Sequence, residues 1–227
     1  SSGFECPKPV MAYNSVANTI ALSCSNPNAE IRYVTGGGHA TATSTLYNEN
    51  NPISVTGFPF IISAIAMIAG DDSSISEEAY YTIINASNQL TDASMNYVLS
   101  CDINLTTGYD ITFTGEFDGN YHTITGLRSP LFTSLNGAIV KNVVLNDVAI
   151  VRSADAVGAV AGTAKGYSRI YNCGILPNSA DFPEGTHPTV TTTGSCAGGI
   201  VGRLEDDSRV INCYSYADVS ATTYAAG

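Results

Sequence analysis

The chain has 227 residues with 20 acidic and 9 basic side chains, which gives a formal charge of -11. Hydrophobic residues make up 44% of it, so enough apolar surface is available for a core and intrinsic disorder is excluded. The acidic balance disfavours nucleic-acid binding, because neutralising phosphates requires clustered Lys and Arg. No apolar run approaches the roughly 20 residues of a membrane-spanning helix.

Residues 1–84 predict a small antiparallel, Ig-like β-sandwich. Short runs rich in β-branched residues and Tyr alternate with turn sequences that contain Gly, Asn, Asp and Pro, a spacing that is typical of sandwiches. Residues 85–94 are polar and unpatterned, and we expect them to be a linker. The predicted strands are 19–23, 30–34, 53–56, 60–68 and 80–83.

Two segments in the second half of the chain repeat each other. Residues 158–173, GAVAGTAKGYSRIYNC, align without a gap with residues 198–213, GGIVGRLEDDSRVINC, at an offset of 40. A weaker copy at 138–145 precedes the matching part of the first segment by 30 residues, and a Pro-rich insertion from 177 to 188 accounts for the longer offset. Such self-similarity indicates a repeat architecture. The identical positions are Gly158/Gly198, Gly162/Gly202, Ser168/Ser208, Arg169/Arg209, Asn172/Asn212 and Cys173/Cys213.

Stacking these repeats as parallel strands explains the pattern. Each copy has runs too short to bury a core alone, whereas strands stacked about 4.8 Å apart enclose one continuous interior. We therefore predict a right-handed parallel β-helix over 95–227, with Gly at corners of positive φ. Gly227 would take the place of Gly198, so we expect a fragment of a longer protein. The residues expected in single file are Asn142, Asn172 and Asn212, with Cys173 and Cys213 as inward free thiols in one column.

The second half resembles a known family. Residues 97–105, YVLSCDINL, and 117–127, FDGNYHTITGL, resemble the opening coil of GLUG-motif β-helix proteins, which read roughly Y-x-L-x-x-D-I-D-L and F-D-G-N-G-H-T-I-x-G-L. The resemblance covers 95–227, and Tyr121 stands where that pattern usually has Gly.

The first half resembles the chitobiase C-terminal-like sandwich module, through 29–38, 44–47 and 62–66. That module is accessory rather than catalytic in bacterial glycosidases and surface proteins. Together the two resemblances imply an exported bacterial surface protein, at the cell surface or outside the cell, that acts in cell adhesion.

Candidate chemistry is sparse in this sequence. Glu116 and Asp118 would share one strand face, as paired carboxylates do in glycosidases, but Asp118 also opens an Asp-Gly-Asn turn. A Ser-His-Asp triad would draw on His39, His122 or His187, and no Gly-x-Ser-x-Gly elbow is present. Asp71-Asp72 and Asp206-Asp207 lack calcium-loop spacing, and no Cys-x-x-Cys pair indicates zinc. We expect no catalytic residue, cofactor or metal.

Aromatic and sulfur-containing side chains complete the candidates. Exposed tyrosine rings stack well on sugars, although in small sandwiches Tyr is commonly packed in the core. Cys6 and Cys24 are the cysteines best placed for a disulfide, if neighbouring strands bring them together. The candidate sugar-binding tyrosines are Tyr13, Tyr33, Tyr47, Tyr80 and Tyr81.

Three hypotheses for function follow. The first is a non-catalytic surface protein that binds glycans or proteins of a host or cell surface, with the β-helix as a stiff spacer. The second is an accessory carbohydrate-binding segment of a larger secreted hydrolase. The third is a β-helix enzyme such as a polysaccharide lyase, which the lack of a Lys and Arg cluster disfavours.

Overall fold

A computed structural model describes residues 5–177 and 187–226. The chain divides into two compact units, Ser1–Ile84 and Asn85–Gly227, and the expected linker belongs with the second unit. The all-β prediction is confirmed, since the helical segments of the described residues are two short 3-10 helices, Asp72–Ser74 and Ser87–Gln89. Among the same residues, no helix has the length and apolarity needed to cross a membrane.

The first unit is built from two antiparallel sheets. One sheet has the order β1-β2-β5 and the other the order β7-β6-β3-β4. Buried side chains come from both sheets and include Ile20, Ile62 and Ile83. The strands are β1 Val10–Asn14, β2 Thr19–Ser23, β3 Glu30–Thr35, β4 Thr45–Leu46, β5 Ile53–Ser54, β6 Phe60–Met67 and β7 Ala79–Ile84.

The second unit consists of short strands, most of two to five residues, that pair in parallel. Its first strands are β8 Tyr97–Leu99, β9 Ile103–Asn104, β10 Tyr109–Phe113, β11 Glu116–Asp118, β12 Thr123–Thr125, β13 Phe132–Asn136, β14 Ile139–Lys141, β15 Val144–Asn146, β16 Ala149–Arg152 and β17 Ala156–Gly158. They are followed by β18 Ala161–Lys165, β19 Arg169–Tyr171, β20 Gly174–Ile175, β21 Thr189–Thr192, β22 Cys196–Gly198, β23 Val201–Leu204, β24 Arg209–Ile211, β25 Tyr214–Ser215, β26 Asp218–Ser220 and β27 Tyr224–Ala226.

These strands stack in columns whose neighbours are distant in sequence. One column is β8-β11-β14-β19-β24, a second is β9-β12-β15-β20-β25, and a third is β10-β13-β18-β23. Two shorter columns are β16-β21-β26 and β17-β22-β27. Every pairing in these five columns is parallel. Each strand inside a column is therefore hydrogen-bonded to the strand before it and to the strand after it in the stack.

The inward side chains of one column lie in register and form the core of the second unit. Phe117, Val140 and Ile170 are opposite one another on β11, β14 and β19, and none of the three is exposed. The ring of Phe132 stacks on Phe113 with 4.6 Å between centroids. A continuous apolar interior of this kind removes from water residues that no single coil could bury.

The sequence offsets match the strand register in two places and fail in a third. Ile139 pairs with Arg169 and Arg169 with Arg209, as the offsets of 30 and 40 predict. Gly198, however, pairs with Ala226, so the expectation that Gly227 takes its place is wrong. The offset between these two paired residues is 28. Residues 178–186 of the predicted insertion, and Gly227 itself, lie outside the described residues.

The corners of the second unit are made by Asn and Asp more than by the repeated glycines. Asn142, Asn172 and Asn212 have φ values of 54°, 54° and 51°, in the left-handed region that Asn tolerates. Glycines do occupy positive-φ corners at Gly126, Gly137 and Gly166, whereas the repeated glycines Gly158, Gly162, Gly198 and Gly202 all lie outside that region.

Close backbone packing explains the repeated glycines instead. A Cβ on Gly158 would lie 2.4 Å from the Val201 Cα, and one on Gly202 would lie 2.3 Å from the Val157 N. Equivalent additions at Gly162 and Gly198 would meet carbonyl oxygens at 2.7 Å and 2.0 Å. The repeated glycines therefore lie where the surrounding backbone leaves no room for a side chain.

Candidate functional site

The five candidate tyrosines are all half-buried, but they do not form one platform. Tyr33 lies opposite Ala64 on β6, and Tyr81 lies on the same face of the sheet as Tyr33. Tyr80 lies opposite Ser63 and therefore faces the other side. Tyr13 belongs to the other sheet, where its hydroxyl donates to the Asn18 Oδ1 at 2.8 Å.

Tyr33 and Tyr47 are brought together on one face. The backbone N–H of Tyr47 donates to the Ile31 carbonyl at 2.8 Å, which extends the pairing beyond β4. The two rings meet edge to face, with centroids 6.4 Å apart and planes at 80°. This arrangement fixes the ring of Tyr47, because an edge-to-face contact holds both aromatic planes.

Tyr47 lines a cleft of about 470 Å³ between the loop after β2 and the segment after β4. Leu22 and Ile31 are almost fully buried and contribute apolar surface to it. Asn26 and Glu49 also line it and contribute polar side chains. The cleft, hereafter the Tyr47 cleft, thus combines one aromatic ring with polar and apolar residues, as ligand pockets commonly do.

Glu30 and Arg32 form an ion pair on β3, the strand that borders the Tyr47 cleft. The guanidinium of Arg32 donates to Glu30 Oε1 at 2.7 Å and 2.9 Å, and it also donates to the Ser44 carbonyl at 3.2 Å. Both charged side chains are about one quarter exposed, which limits solvent screening. Both lie on the face of β3 opposite to Ile31, and Glu30 is the member of the pair that is among the residues lining the cleft.

The opposite face of the first unit holds a separate polar cluster. His39 Nδ1 lies 2.8 Å from Glu78 Oε2, and the Ala40 N–H donates to Glu78 Oε1 at 2.7 Å. Burial raises the pKa of the Glu78 carboxyl, but hydrogen bonds from His39, Ser63 and Ala40 outweigh it and lower that pKa overall. His39 also lies 6.2 Å from the Tyr80 ring, so Tyr80 is held apart from the Tyr47 cleft.

The paired carboxylates Glu116 and Asp118 share a strand face and a common counter-ion. Lys141 Nζ lies 2.6 Å from Glu116 Oε1 and 3.5 Å from Asp118 Oδ2. Burial opposes the ammonium charge, but the hydrogen bond and charge of Glu116 and the charge of Asp118 raise the pKa of Lys141 above its ordinary value of 10.5. The cluster is therefore an ion-pair network between adjacent coils.

The histidine and aspartate candidates lie apart from one another. His122 Nδ1 is 3.3 Å from Asp102 Oδ1, while its buried Nε2, where a triad would place a serine hydroxyl, has no hydrogen-bond partner among the described residues. His187 is exposed.

The candidate calcium ligands do not form a metal site. Asp71 accepts hydrogen bonds from Ser73 in a turn. In residues 5–177 and 187–226 no three His, Cys, Asp or Glu side chains are placed to hold a metal ion.

All six cysteines are free thiols, including Cys6 and Cys24. Cys24 Sγ donates to the Pro7 carbonyl at 3.4 Å, and Cys6 is buried beside Asn26. In the second unit the Cys173 N–H donates to Cys213 Sγ at 3.4 Å, which places the two thiols in one column. Cys173 is fully buried and Cys213 is half-buried.

Most of the Tyr47 cleft was missed by sequence reasoning. The sequence pattern places Glu30 in a strand and indicates no functional role for Glu30, Asn26 or Pro27. The cleft forms because the 24–29 loop and the 46–49 segment flank the same end of β3. Tyr47 was the only residue of the cleft that the sequence indicated for ligand binding. Periodicity along a chain does not predict that two loops about 20 residues apart, such as 24–29 and 46–49, will lie side by side.

Three family models match parts of the chain. Residues 9–78 match the chitobiase/beta-hexosaminidase C-terminal domain, and residues 193–220 match the GLUG motif, so both stated resemblances are confirmed. Residues 93–175 match the M26 IgA1-specific metallo-endopeptidase N-terminal region, which the sequence reasoning did not anticipate. No curated protein and no solved structure matches the chain. The matched domain types are typical of extracellular proteins and are carbohydrate- or surface-related.

Proposed function

We propose that this chain is a non-catalytic segment of an exported surface protein that binds glycans and acts in adhesion. The Tyr47 cleft is the observation that carries this proposal, because it combines an aromatic ring in edge-to-face contact with Tyr33 and polar lining residues. The cleft lies in a module that matches a domain family named for carbohydrate-active enzymes. The second unit supplies a rigid body in the same chain.

For the second unit we infer a right-handed parallel β-helix. Its support is the parallel register of five columns, in which strands of successive coils pair one above the next. Right-handed connection is expected, because crossovers between parallel strands have that hand in nearly all known sheets. A closed stack of this kind resists bending and suits a spacer.

The chemistry of the Tyr47 cleft favours a neutral sugar. The apolar face of a pyranose ring would stack on Tyr47, and its hydroxyls would donate to the carboxylate of Glu49. Asn26 offers an amide that both donates and accepts. With acidic residues in the lining and a net charge of -11, anionic glycans would be repelled. The proposed partners are therefore neutral glycans of a host or cell surface.

A glycan array probed with the full chain tests this proposal. Tyr47→Ala removes the stacking ring and is expected to weaken binding about tenfold. This fold-change corresponds to the loss of roughly 1.4 kcal/mol of aromatic contact energy. Tyr80→Ala is the matched control, because it deletes a half-buried tyrosine from the opposite face of the same sheet. Binding that survives Tyr47→Ala, or an array without any bound glycan, would overturn the proposal.

A second candidate is an accessory segment of a larger secreted hydrolase. The matches to a chitobiase/beta-hexosaminidase C-terminal domain and to an N-terminal region of a metallo-endopeptidase family favour it. In that case the Tyr47 cleft would hold a substrate glycan or glycoprotein near a catalytic domain elsewhere in the protein. Fusion of the chain to a neutral glycosidase would then raise hydrolysis of an insoluble glycan, and Tyr47→Ala would abolish the gain.

A further inference from the structure

The second unit carries a groove of its own on the column that contains β12, β15, β20 and β25. Its volume is about 250 Å³, below the range of roughly 300–1,000 Å³ that holds drug-sized ligands. It is therefore the size of a single small ring. The lining residues are Tyr121, Val144, Asn172, Gly174, Asn212 and Tyr214.

Tyr214 lies directly over the backbone of Gly174. The two residues are opposite each other on β25 and β20, and a Cβ added to Gly174 would lie 2.2 Å from Cζ of the Tyr214 ring. The ring of Tyr216 contacts Tyr214 edge to face, with centroids 6.1 Å apart. Because Gly174 has no side chain, the Tyr214 ring packs directly against the backbone of β20, while 47% of Tyr214 stays exposed.

Tyr121 forms the other aromatic side of the groove. It is 66% exposed, and its φ of 61° lies in the left-handed region that bulky residues rarely adopt. Its N–H donates to the Asn142 carbonyl at 2.9 Å, which anchors the backbone to the next coil. Asn120, with a φ of 49°, and Tyr121 are the central residues of a turn that is closed by the hydrogen bond from the His122 N–H to the Gly119 carbonyl at 2.8 Å. This turn sets the backbone conformation and leaves the ring of Tyr121 exposed beside the groove.

Between the two rings the groove presents apolar and amide surface. Val144 is opposite Gly174 in the same column. Asn172 donates one amide N–H to the Oδ1 of Asn142, and Asn212 donates one to the Oδ1 of Asn172, so each amide nitrogen carries a second N–H. The surface thus offers two aromatic rings, one apolar patch and amide donors, without a charged side chain in its lining.

We propose that this groove binds a single neutral pyranose residue, with the sugar ring between Tyr121 and Tyr214. The two rings take the apolar faces of the sugar, and the amides of Asn172 and Asn212 donate to its hydroxyls. An uncharged lining in a protein of net charge -11 selects a neutral sugar over an acidic one. This site goes beyond the proposed function, because it lies in the second unit and does not involve the Tyr47 cleft.

The experiment uses the full chain carrying Tyr47→Ala, which weakens binding in the cleft of the first unit, and the groove variants described below assign the remaining signal. The probes are methyl glycosides of glucose, galactose, mannose and N-acetylglucosamine, and binding is measured by saturation-transfer-difference NMR. We expect saturation of the ring protons of at least one glycoside, with a millimolar dissociation constant. No saturation with any of the four at tens of millimolar would overturn the proposal.

Two variants assign the binding to the groove. Tyr121→Gly removes one ring and relieves the left-handed backbone, so it should abolish the signal while leaving the melting temperature equal or higher. Gly174→Ala keeps both tyrosines but displaces the Tyr214 ring, and it should weaken binding at least fivefold. Gly174 lies outside the positive-φ region, so its backbone accepts alanine.

Tyr167→Gly is the matched control. Tyr167 is also 66% exposed and has a φ of 63°, but it does not line the groove. It should reproduce the effect of Tyr121→Gly on melting temperature and leave sugar binding unchanged. Equal loss of binding in the Tyr167 and Tyr121 variants, or full binding in Gly174→Ala, would overturn the assignment.

Discussion

The side-chain amide of Asn212 donates to the Oδ1 of Asn172 at 2.6 Å. Asn172 donates in the same way to Asn142 at 3.2 Å, and Asn142 donates to Asp118 Oδ1 at 3.0 Å. One side-chain ladder therefore connects four successive coils of the second unit. It ends on a carboxylate, which accepts without having to donate.

We expect Asn172→Ala to lower the free energy of unfolding of the second unit by about 2–3 kcal/mol. Two ladder hydrogen bonds are lost at about 1 kcal/mol each, and alanine tolerates the left-handed φ of 54° less well than asparagine. Urea denaturation measures the change. Asn172→Gly is the control, because it loses the same hydrogen bonds but accepts the backbone, and it should recover about 1 kcal/mol of the loss. A stability for Asn172→Ala equal to that of the wild type would contradict the ladder's role.

Gly158→Ala should destabilise the second unit by about 3 kcal/mol. The added Cβ would meet the Val201 Cα at 2.4 Å and the Ala161 carbonyl oxygen at 2.6 Å, and neither backbone atom can move without shifting a coil. Thermal denaturation checks this value. Gly57→Ala is the paired control, since it adds the same methyl group in open space and should change stability by less than about 0.5 kcal/mol.

The Lys141 ion pairs predict a loss of stability at high pH. Because the folded state raises the pKa of Lys141 above 10.5, its stabilising contribution is complete below pH 10.5 and declines as the pH rises above that value. Denaturation of wild type and Lys141→Met at about pH 8 and about pH 11.5 tests this. The variant should be less stable by about 2 kcal/mol at the lower pH, and this difference should shrink at the higher pH. A difference that is constant with pH would show that Lys141 stabilises the unit through packing alone.

Cys213 should be the more reactive thiol of its column. Its hydrogen bond with the Cys173 side chain outweighs partial burial and lowers the pKa of Cys213 to about 7, whereas that same bond and burial raise the pKa of Cys173. Alkylation with iodoacetamide, mapped by mass spectrometry, should show a midpoint near pH 7 for Cys213 and no labelling of Cys173 in the folded chain. Labelling of both thiols at one rate would contradict this assignment.

Local patterns predicted much of the fold of the first unit. The run 19–23 coincides with β2, and the runs at 30–34, 60–68 and 80–83 fall within one residue of β3, β6 and β7 at each end. The strands β1 and β4 were missed, because Val10–Asn14 shows weak alternation and Thr45–Leu46 is a two-residue edge strand. Such strands are defined by their partners rather than by their own propensity.

In the second unit, sequence offsets predicted the register where identical residues repeat. Asp118 was not recognised as the acceptor that ends the ladder, because it lies 24 residues before Asn142 and belongs to a different residue type. The close packing at the repeated glycines was also not predicted, since a sequence shows that a side chain is absent but not which neighbouring backbone requires it.

The candidate sites were less accessible to sequence reasoning. The Tyr47 cleft joins two segments of the first unit, and the groove beside Gly174 joins residues 121 to 214 through the stacking of coils. Tyr121 had a visible signal, since it replaces a Gly in the GLUG pattern, but the pairing of Tyr214 with Gly174 depends on a register across 40 residues.

Length variation in this molecule is constrained by the side-chain ladder. If one whole coil is duplicated or deleted, each remaining asparagine still lies in line with the ladder. The side-chain amides can therefore form hydrogen bonds with new neighbours. A change of a few residues within a coil carries one asparagine out of line and leaves two others without their partners. Proteins built on this plan should therefore differ in length by complete coils, with smaller insertions confined to loops that leave the stack between strands.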